Sequence, residues 1–368
     1  MKIGLDVYHA FHSNGGVARY IRGLVPPLVS GASSNQFVFF SNSFRGERSS
    51  WIPNYPNGRI VELGCPRQII QGSWHYFDWP SIEMFTGSID IFHGTHFVLP
   101  AVRRAKYVLT VHDLTYLRHP DYYSNGAMNE IGYRKDLPRA LERADAVIAI
   151  SDHTRQDLEE LLDYPTARIH VVHSGVDPHF FVSPNEEELG EIRRRYDLDR
   201  PYLIFLVGTP EPRKNLLRTV AAARRGAPDL PLVIIGPQQS IRSLLGNKLD
   251  GVRLLGLVPD IDLPLILHGA KIALYPSLYE GFGLPALEAM ASGVPLITSN
   301  RSALPEVVGN AAVLVDPESE DEIAEVIRGL LDDEGRREEL IRSGRIRAKE
   351  FTWDRAANKV MQLYQQLV

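Results

Sequence analysis

The sequence predicts an α/β protein with two parallel sheets, each covered by helices on both faces. Apolar strand-like runs alternate with amphipathic helical stretches along almost the whole chain, which is typical of a doubly wound parallel sheet. These runs are too many for one open sheet of ordinary size, so two similar sheets are favoured. A chain of 368 residues is also long enough for two domains, each with its own core.

The strand predictions follow from the apolar runs in order. In the first half they span residues 2–7, 36–41, 59–63, 89–93, 107–112, 146–150 and 169–173. In the second half they span residues 202–207, 232–235, 252–257, 272–275, 295–298 and 312–315. Prolines interrupt the pattern within 176–184, so we expect one domain over 1–178 and another over 179–351. A last helix is expected over 355–368, with Thr352 or Asp354 as its cap.

Composition excludes several classes of protein. A content of 44% apolar and 23% charged residues is that of an ordinary globular protein, and a net charge of −5 gives no sign of a nucleic-acid partner. The one cysteine, Cys65, excludes an internal disulfide framework and agrees with a reducing compartment. No signal peptide or membrane-spanning run is evident, so we expect a cytoplasmic protein. Peripheral contact with the inner face of a membrane stays open, because an amphipathic or basic face would not show in these totals.

The stretch 275–293 combines the end of a strand, a glycine loop and the start of a helix. We expect this helix to begin at Pro285, where a missing N–H costs nothing, and to end at Gly293. The amides that follow Gly281 and Gly283 would point at a bound anion, which the helix dipole also favours. Phosphate is the first ligand that this pattern predicts.

Two carboxylates, Glu280 and Glu288, bracket the glycine loop. Acceptor groups at both ends suit a ligand with hydroxyls at each end and phosphate in the middle, which is the layout of a nucleotide sugar. A lone pair of glutamates is more often one solvated helix residue and one ordinary loop acid. The glycines between them favour the ligand-binding interpretation.

The run from Glu280 to Glu288, Glu-Gly-Phe-Gly-Leu-Pro-Ala-Leu-Glu, resembles the signature of retaining glycosyltransferases with the GT-B fold, family 4. The resemblance implies two Rossmann-like domains facing each other across a cleft, with the nucleotide-sugar donor on the C-terminal one and the acceptor mainly on the N-terminal one. It implies that the last helix, 352–368, crosses back to the N-terminal domain. It also implies that Glu280 contacts the donor sugar, that Glu288 contacts the ribose, and that Phe282, Gly283 and Leu284 present amides to the donor.

The run 205–215 is a strand, a turn at Gly208 and then an expected helix start that carries Arg213 and Lys214. Arg213 as a fork and Lys214 as a point charge would hold a diphosphate. Cations at a helix N-terminus oppose the dipole, so an anion is expected between them, although a solvated helix start is the alternative. The run resembles the Arg/Lys pair with which the family neutralises the leaving diphosphate.

Glycines and histidines mark a second candidate region in the first half. Gly15 and Gly16 precede an expected helix over 17–24 and would admit a phosphate, although a glycine pair is more often only a turn. The resemblance implies that the pair closes over the donor phosphate and the acceptor. The aromatic stretch 72–79 is interpreted as domain core in preference to a sugar or lipid platform.

His93, His96, His112 and Asp113 follow strand ends, where ligands bind in open α/β sheets. His112 with Asp113 is either a general acid/base pair or a hydrogen-bonded strand terminus, and the resemblance places a histidine beside the donor sugar there. A metal at His93 and His96 would need a helix and further ligands.

The predicted reaction is retaining transfer of a hexose from a nucleoside diphosphate sugar to a glycan or lipid-linked acceptor in surface polysaccharide or lipopolysaccharide assembly. GDP-mannose is the first donor and a UDP-hexose the second. The residues expected at the reacting centre are His112, Asp113, Glu280, Arg213 and Lys214. We expect no metal and no cofactor, since the Asp-x-Asp matches at 197–199 and 260–262 are interpreted as structural. A GT-B nucleotide-sugar 2-epimerase and a binding module without catalysis are the alternatives.

Overall fold

The computed structural model describes residues 1–13, 15–42, 55–123 and 128–368, with the backbone alone for 128–134. The chain divides into two compact units. The first comprises Met1–Gly175 together with Thr352–Val368, and the second comprises Val176–Phe351.

The first unit is built on a parallel sheet. Its strands are β1 (Lys2–Asp6), β2 (Gln36–Ser41), β3 (Gly58–Glu62), β4 (Ile91–Gly94), β5 (Lys106–Val111), β6 (Ala146–Ala149) and β7 (Ile169–Val171). Within the described residues their spatial order is β3-β2-β1-β4-β5-β6-β7, and every neighbouring pair is parallel. The order reverses at β1, which is the switch point where such sheets bind ligands.

The second unit repeats this arrangement with one strand fewer in its described part. Its strands are β8 (Leu203–Leu206), β9 (Leu232–Ile235), β10 (Val252–Gly256), β11 (Ile272–Tyr275), β12 (Leu296–Ser299) and β13 (Val313–Val315). Their order is β10-β9-β8-β11-β12-β13, again all parallel. The two-sheet α/β architecture predicted from the sequence is therefore confirmed.

The helices of the first unit are α1 (Tyr8–His12), α2 (Gly16–Ser30), α3 (Arg67–Phe77), α4 (Glu83–Thr86), α5 (Thr115–Arg118), α6 (Met128–Arg143), α7 (Asp152–Leu162) and, from the end of the chain, α16 (Trp353–Leu367). Those of the second unit are α8 (Glu186–Tyr196), α9 (Leu216–Gly226), α10 (Gln238–Leu245), α11 (Leu263–His268), α12 (Leu284–Ser292), α13 (Leu304–Val308), α14 (Glu320–Asp332) and α15 (Glu334–Ala348). None of the helices in the described ranges has both the length and the apolar run that a membrane crossing requires.

The last helix belongs to the first unit. The Thr352 side chain caps it by accepting from the Arg355 amide at 3.2 Å, so Thr352 and not Asp354 is the cap. The helix packs against α2. The contact is close because Gly23 of α2 leaves room for the Trp353 ring: a Cβ at Gly23 would lie 2.0 Å from Trp353 Cε2.

Several local predictions were wrong. The short helix α1 was missed, and α2 continues to Ser30 instead of ending near residue 24, because its apolar face stays buried through Leu28 and Val29. The aromatic stretch 72–79 is only partly core. Trp74 is buried, whereas Tyr76, Phe77 and Trp79 are 77%, 76% and 59% exposed.

Candidate active site

The second unit contains a buried ion cluster centred on the carboxylate of Glu280. Its Oε1 accepts hydrogen bonds from Lys214 Nζ and from the Tyr275 hydroxyl, each at 2.7 Å. Its Oε2 accepts from Arg213 Nη1 at 3.0 Å. The Glu280 side chain is 7% exposed, and those of Arg213 and Lys214 are 15% and 12% exposed. Two cations are therefore held on one carboxylate in a region that little water reaches.

The charges in this cluster nearly cancel. Burial would raise the pKa of the Glu280 carboxyl, but the charges of Lys214 and Arg213 outweigh it and lower the pKa to about 2. Burial lowers the pKa of the Lys214 amine, although Glu280 opposes the change. Glu211 Oε2 accepts from Arg213 Nε at 2.5 Å, which adds a second anion. The anion predicted between the two cations is thus supplied by the protein itself, and Glu280 stays ionised at neutral pH.

Arg213 and Lys214 lie on a 3-10 turn, Pro212–Lys214, after β8. The prediction of a helix start at these residues was wrong, because α9 begins only after Asn215, which adopts a left-handed conformation with φ 59°. The amide of Leu278 donates to the Arg213 carbonyl at 2.7 Å. The turn is therefore fixed against the loop that follows β11, and this contact brings the cations to Glu280.

The glycine loop leads directly into α12. Helix α12 begins at Leu284, one residue before the predicted start at Pro285, and Gly293 ends it in a left-handed conformation, as predicted. Gly283 has φ 104°, and a Cβ there would come within 2.6 Å of Leu304 Cδ2, so the position requires glycine. Because the first amides of a helix have no intrahelical acceptor, the Leu284 amide is available to a ligand by helix geometry.

The remaining residues of this loop are buried. Gly281 and Phe282 are both buried, and the Phe282 ring packs edge-on against Phe351 with their centroids 5.8 Å apart. Glu288 lies within α12 and is 4% exposed, and Glu280 is 5% exposed. The alternative of a solvated helix residue and an ordinary loop acid is therefore wrong for both carboxylates. Gly208, after β8, is exposed, and a Cβ there would meet nothing within 4 Å.

Two residues of this cluster were missed by sequence reasoning. Tyr275 supplies a hydroxyl to Glu280, and it also accepts from Lys214 Nζ at 2.9 Å. Ser302 Oγ accepts from the Glu280 amide at 3.0 Å. Tyr275 belongs to the stretch 275–293, but the sequence indicates only a strand end there and gives no sign that its hydroxyl contacts Glu280. No motif signals Ser302.

In the first unit, His93 is a core residue. It lies within β4, its Nδ1 is 2.5 Å from the Tyr364 hydroxyl of α16, and its Nε2 is 2.7 Å from Thr110 Oγ1 of β5. Burial, with a smaller contribution from His112, lowers its pKa to about 3. Both ring nitrogens are engaged, so His93 connects α16 to the sheet and has no nitrogen left for a metal.

His112 and Asp113 follow β5 at the carboxyl edge of the sheet. His112 Nε2 donates to the Thr95 carbonyl at 2.9 Å, and its ring meets the edge of Tyr20 at a centroid distance of 4.8 Å. Burial lowers its pKa, while the Thr95 bond and the Asp113 charge oppose the change. Asp113 Oδ1 accepts from the Thr115 amide at 3.0 Å and the Thr115 hydroxyl at 2.7 Å. These contacts match the interpretation as a hydrogen-bonded strand terminus.

Two further first-half predictions concern a helix start and a histidine. Gly15 is the N-cap of α2 and Gly16 its first residue, so the helix predicted after the glycine pair is confirmed. Both glycines are exposed, and a Cβ at either would meet nothing within 4 Å. Asn14, beside them, lies outside the described residues. His96 follows β4, and its ring centroid is 5.8 Å from that of His112.

The Asp-x-Asp matches are engaged in structure. Both carboxylate oxygens of Asp262 accept from Arg195 Nη1 at 2.9 Å, and Oδ2 also accepts from the Tyr196 hydroxyl at 2.6 Å. These contacts hold α8 against α11. Asp197 ends α8 in a left-handed conformation and pairs with Arg253 at 2.8 Å.

The second unit assembles groups of the kind that bind phosphate. It has fixed cations, a glycine loop that leads into a helix N-terminus, and one buried carboxylate on each side of that loop, Glu280 before it and Glu288 after it. The family model described as "Glycosyltransferase Family 4" matches residues 14–180, and the one described as "Glycosyl transferases group 1" matches residues 190–347.

Known proteins support the same assignment. O-antigen chain mannosyltransferase B of Escherichia coli is 33% identical over 288 residues, a match that covers 75% of this chain and 74% of that protein. Sucrose-phosphate synthase from Thermosynechococcus elongatus has a TM-score of 0.78 at 22% identity, covering 100% of this chain and 99% of that one. HepE of Anabaena in complex with UDP-glucose has a TM-score of 0.74 at 15% identity, covering 100% of both chains. The predicted GT-B fold is confirmed, and the chain is a glycosyltransferase that belongs to the group 1 glycosyl transferases of family 4.

Proposed function

We propose that this glycosyltransferase moves a hexose from a nucleoside diphosphate sugar to an acceptor hydroxyl with retention of configuration at the anomeric carbon. The E. coli relative is a mannosyltransferase, which supports GDP-mannose as the donor. The complex of HepE with UDP-glucose supports a UDP-hexose as the alternative. The relative's role in O-antigen chains supports a glycan or lipid-linked acceptor in surface polysaccharide assembly.

The observation that carries the proposal is the ion cluster around Glu280. We assign Arg213 and Lys214 to the departing diphosphate. Within the described contacts Lys214 Nζ donates to Glu280 and Tyr275, and an ammonium has three N–H groups, so one remains for a phosphate oxygen. Donors fixed before the reaction, in a site that excludes water, stabilise charge that develops on the leaving group.

The other assignments follow the order of groups along a nucleotide sugar. Glu280 accepts a hydroxyl of the sugar on the lone pair that remains on Oε2. The loop from Gly281 to Leu284 binds the diphosphate through its amides, with Gly208 facing the same ligand. Glu288 accepts the ribose hydroxyls. In the first unit, Gly15 and Gly16 approach the donor phosphate and the acceptor.

The proposed reaction takes place on one face of the sugar. The bond from C1 to the diphosphate oxygen breaks as the acceptor oxygen bonds to C1, and the acceptor's proton passes to a phosphate oxygen of the leaving group. A double displacement would need a carboxylate nucleophile. Glu280 is poorly suited to that role, since it already accepts from Lys214, Arg213 and Tyr275. His112 positions the sugar, and the charge of Asp113 moderates the effect of burial on His112.

Two variants test the donor assignment. Lys214→Ala removes a charged hydrogen-bond donor, so donor affinity measured by calorimetry should fall about ten- to a hundredfold, and turnover should be lost. Glu288→Gln should weaken nucleoside diphosphate binding as well, because it acts on the ribose. Lys248→Ala, which changes an exposed lysine of the same unit, is the matched control. Unchanged affinity and turnover in a folded Lys214→Ala protein would overturn the assignment.

The stereochemistry has its own test. The proton NMR spectrum of the first-formed product should show the anomeric configuration of the donor. An inverted product would contradict the same-face reaction and would require a base that activates the acceptor.

We further propose that the first unit contacts an anionic membrane surface at the cytoplasmic face, where a lipid-linked acceptor would lie. An apolar surface on α3, α4 and the loop between them supports this proposal, with exposures between 59% and 77%; it comprises Ile69, Tyr76, Phe77, Trp79 and Met84. Exposed Arg103 and Arg104 adjoin it, because Glu83 accepts both of their amides. Aromatic rings with flanking arginines suit the interface of an anionic bilayer.

Vesicle sedimentation tests this contact. The protein should bind vesicles that contain phosphatidylglycerol more strongly than vesicles of phosphatidylcholine alone. A variant with Phe77→Ser and Trp79→Ser should lose that binding, whereas Leu257→Ser, at another exposed apolar residue, should not. Equal sedimentation of all three proteins would exclude this surface as the contact.

A further inference from the structure

Segments that follow three strands of the first sheet bring basic and aromatic side chains together. Tyr8 and His9 follow β1, Arg67 follows β3, and His96 follows β4. These strands lie within the run β3-β2-β1-β4, so their carboxyl ends share one edge of the sheet. We refer to these four residues as the Arg67 cluster. It is separate from the ion cluster around Glu280, which belongs to the second unit.

The guanidinium of Arg67 is held in place, and its Nη1 nitrogen is not used by the groups that hold it. It stacks over the Tyr8 ring, with Cζ 4.2 Å from the ring centroid. When the Gln71 amide is oriented with its oxygen towards Arg67, that oxygen accepts from Nε at 2.9 Å and from Nη2 at 3.2 Å. Nη1 is shielded from solvent and has no hydrogen-bond partner among the described residues. A buried charged donor in this state is costly unless a ligand completes it.

The imidazoles of His9 and His96 also have a shielded nitrogen without a hydrogen-bond partner in the described part of the chain. The rings of His9 and His96 meet edge to face at a centroid distance of 4.5 Å. His9 Nε2 and His96 Nδ1 are both shielded and lack a partner in the described part of the chain. Burial, and then the charge of Arg67, lower the pKa of His9 to about 3, and burial with the His9, His112 and Arg67 charges takes that of His96 well below its usual value. Both imidazoles are therefore neutral, and each can carry its one N–H on the unpartnered nitrogen when an acceptor is bound there.

We propose that the Arg67 cluster binds an anionic oxygen group of the acceptor, a phosphate or a carboxylate. Three shielded nitrogens of neighbouring side chains lack a partner in the described part of the chain, and one of them belongs to the positively charged guanidinium of Arg67, which favours an anionic acceptor. A metal ion would be repelled by Arg67 although two imidazoles are present. A neutral hydroxyl would leave the guanidinium charge uncompensated.

The carboxyl of Asp6 does not fill this role. Asp6 lies within the electrostatic reach of Arg67, but burial raises its pKa, and its Oδ1 already accepts the Tyr8 amide at 3.0 Å. No ion pair joins Asp6 to Arg67 within the described residues. The positive charge of Arg67 is therefore left for an external anion.

The consequence for substrate class rests on the proposed function. If the first unit holds the acceptor, that acceptor carries a phosphate or carboxylate near the hydroxyl that is glycosylated. A sugar phosphate or a lipid-linked phosphate fits, and an uncharged oligosaccharide end does not. The anion site itself stands on the geometry of the Arg67 cluster alone.

Histidine side-chain NMR tests the anion site directly. The full chain with Lys214→Ala, which weakens phosphate binding in the second unit, is titrated with inorganic phosphate. The His9 and His96 ring signals should shift together, and Arg67→Gln should weaken that binding about ten- to a hundredfold. Arg104→Gln, which removes an exposed arginine of the same unit, should leave it unchanged. Unshifted imidazoles, or equal affinity in Arg67→Gln, would overturn the proposal.

A comparison of ligands tests the source of the anion. Mannose 6-phosphate should bind more tightly than inorganic phosphate, and methyl α-mannoside should leave both imidazole signals unchanged. A sugar phosphate that binds no tighter than inorganic phosphate would overturn the acceptor assignment and leave a site for inorganic anions. Calorimetry with the donor, on the protein without substitutions, tests the proposed function separately. A protein that binds phosphate at Arg67 but binds no nucleotide sugar would contradict the proposed function and leave the anion site standing.

Discussion

Replacing Glu280 by Gln tests the ion cluster most fully, because it removes the central charge and keeps the shape of the side chain. The pKa of Glu280 is lowered from 4.5 to about 2, which corresponds to about 3 kcal/mol of stability. The side chain is only 7% exposed, so solvent screening reduces this figure little. We expect Glu280→Gln to lower the stability of the second unit by about 3 kcal/mol at neutral pH, within the range measured for broken buried pairs.

The lowered pKa of Glu280 also predicts how stability changes with pH. A carboxyl whose folded pKa lies below 4.5 contributes fully above that pH, and its contribution is lost as the pH falls towards 2. Between about pH 6 and about pH 3 the protein should therefore lose about 2 kcal/mol more than Glu280→Gln does. Glu318→Gln, which removes an exposed partner of Arg301, should change stability by less than about 1 kcal/mol.

The assay separates the two units. All four tryptophans fall in the sequence ranges of the first unit, so tryptophan fluorescence in urea reports on that unit alone. Hydrogen exchange by mass spectrometry on peptides from β8 and β11 reports on the second. Glu280→Gln should speed hydrogen exchange in the peptides of the second unit. It should leave the urea midpoint of the tryptophan fluorescence transition unchanged. Loss of less than about 1 kcal/mol, with an unchanged pH slope, would refute the account of the cluster.

The remaining predictions concern packing and geometry. Gly23→Ala places a Cβ 2.0 Å from Trp353 Cε2 and should cost about 1–3 kcal/mol in urea unfolding followed by fluorescence, whereas Gly72→Ala, with nothing within 4 Å, should be neutral or stabilising; equal effects would contradict the close packing of α16 on α2. Gly283→Ala meets Leu304 Cδ2 at 2.6 Å and should abolish donor binding in calorimetry, while Gly246→Ala, also at positive φ but in open space, should retain it. Tyr275→Phe removes one hydrogen bond to Glu280 and should reduce donor affinity about fivefold; a loss as large as that of Lys214→Ala would assign Tyr275 a direct role.

Most strands were predictable because strands such as β4, β6 and β9 are buried along their whole length and therefore read as continuous apolar runs. All of the predicted strands are present, with ends that differ by about two residues at most. The helix α1 could not be found in the same way, because it has five residues and no side-chain cap. The aromatic stretch was misjudged since a helix buries one stripe only: Trp74 lies on it, and Tyr76 and Phe77 lie off it.

The candidate site was predictable in its members but not in its contacts. Sequence patterns singled out Glu280, Arg213 and Lys214, and the family resemblance implied that the acid contacts the sugar and that the cations hold the diphosphate. That the three form one cluster depends on a tertiary contact between the turn at 212–214 and the loop after β11, which no local pattern encodes. The Arg67 cluster escaped notice for the same reason, because its members come from three separated segments.

The most direct test of the central claim is calorimetric titration of the full chain with GDP-mannose, UDP-glucose and UDP-N-acetylglucosamine in the presence of EDTA. The account predicts that one of these donors binds without metal, because Arg213, Lys214 and the amides before α12 compensate the diphosphate. The same donor should bind at least about tenfold more weakly to Lys214→Ala. Binding that needs a divalent ion, or that is equal in the two proteins, would contradict the account and move the diphosphate chemistry to other residues.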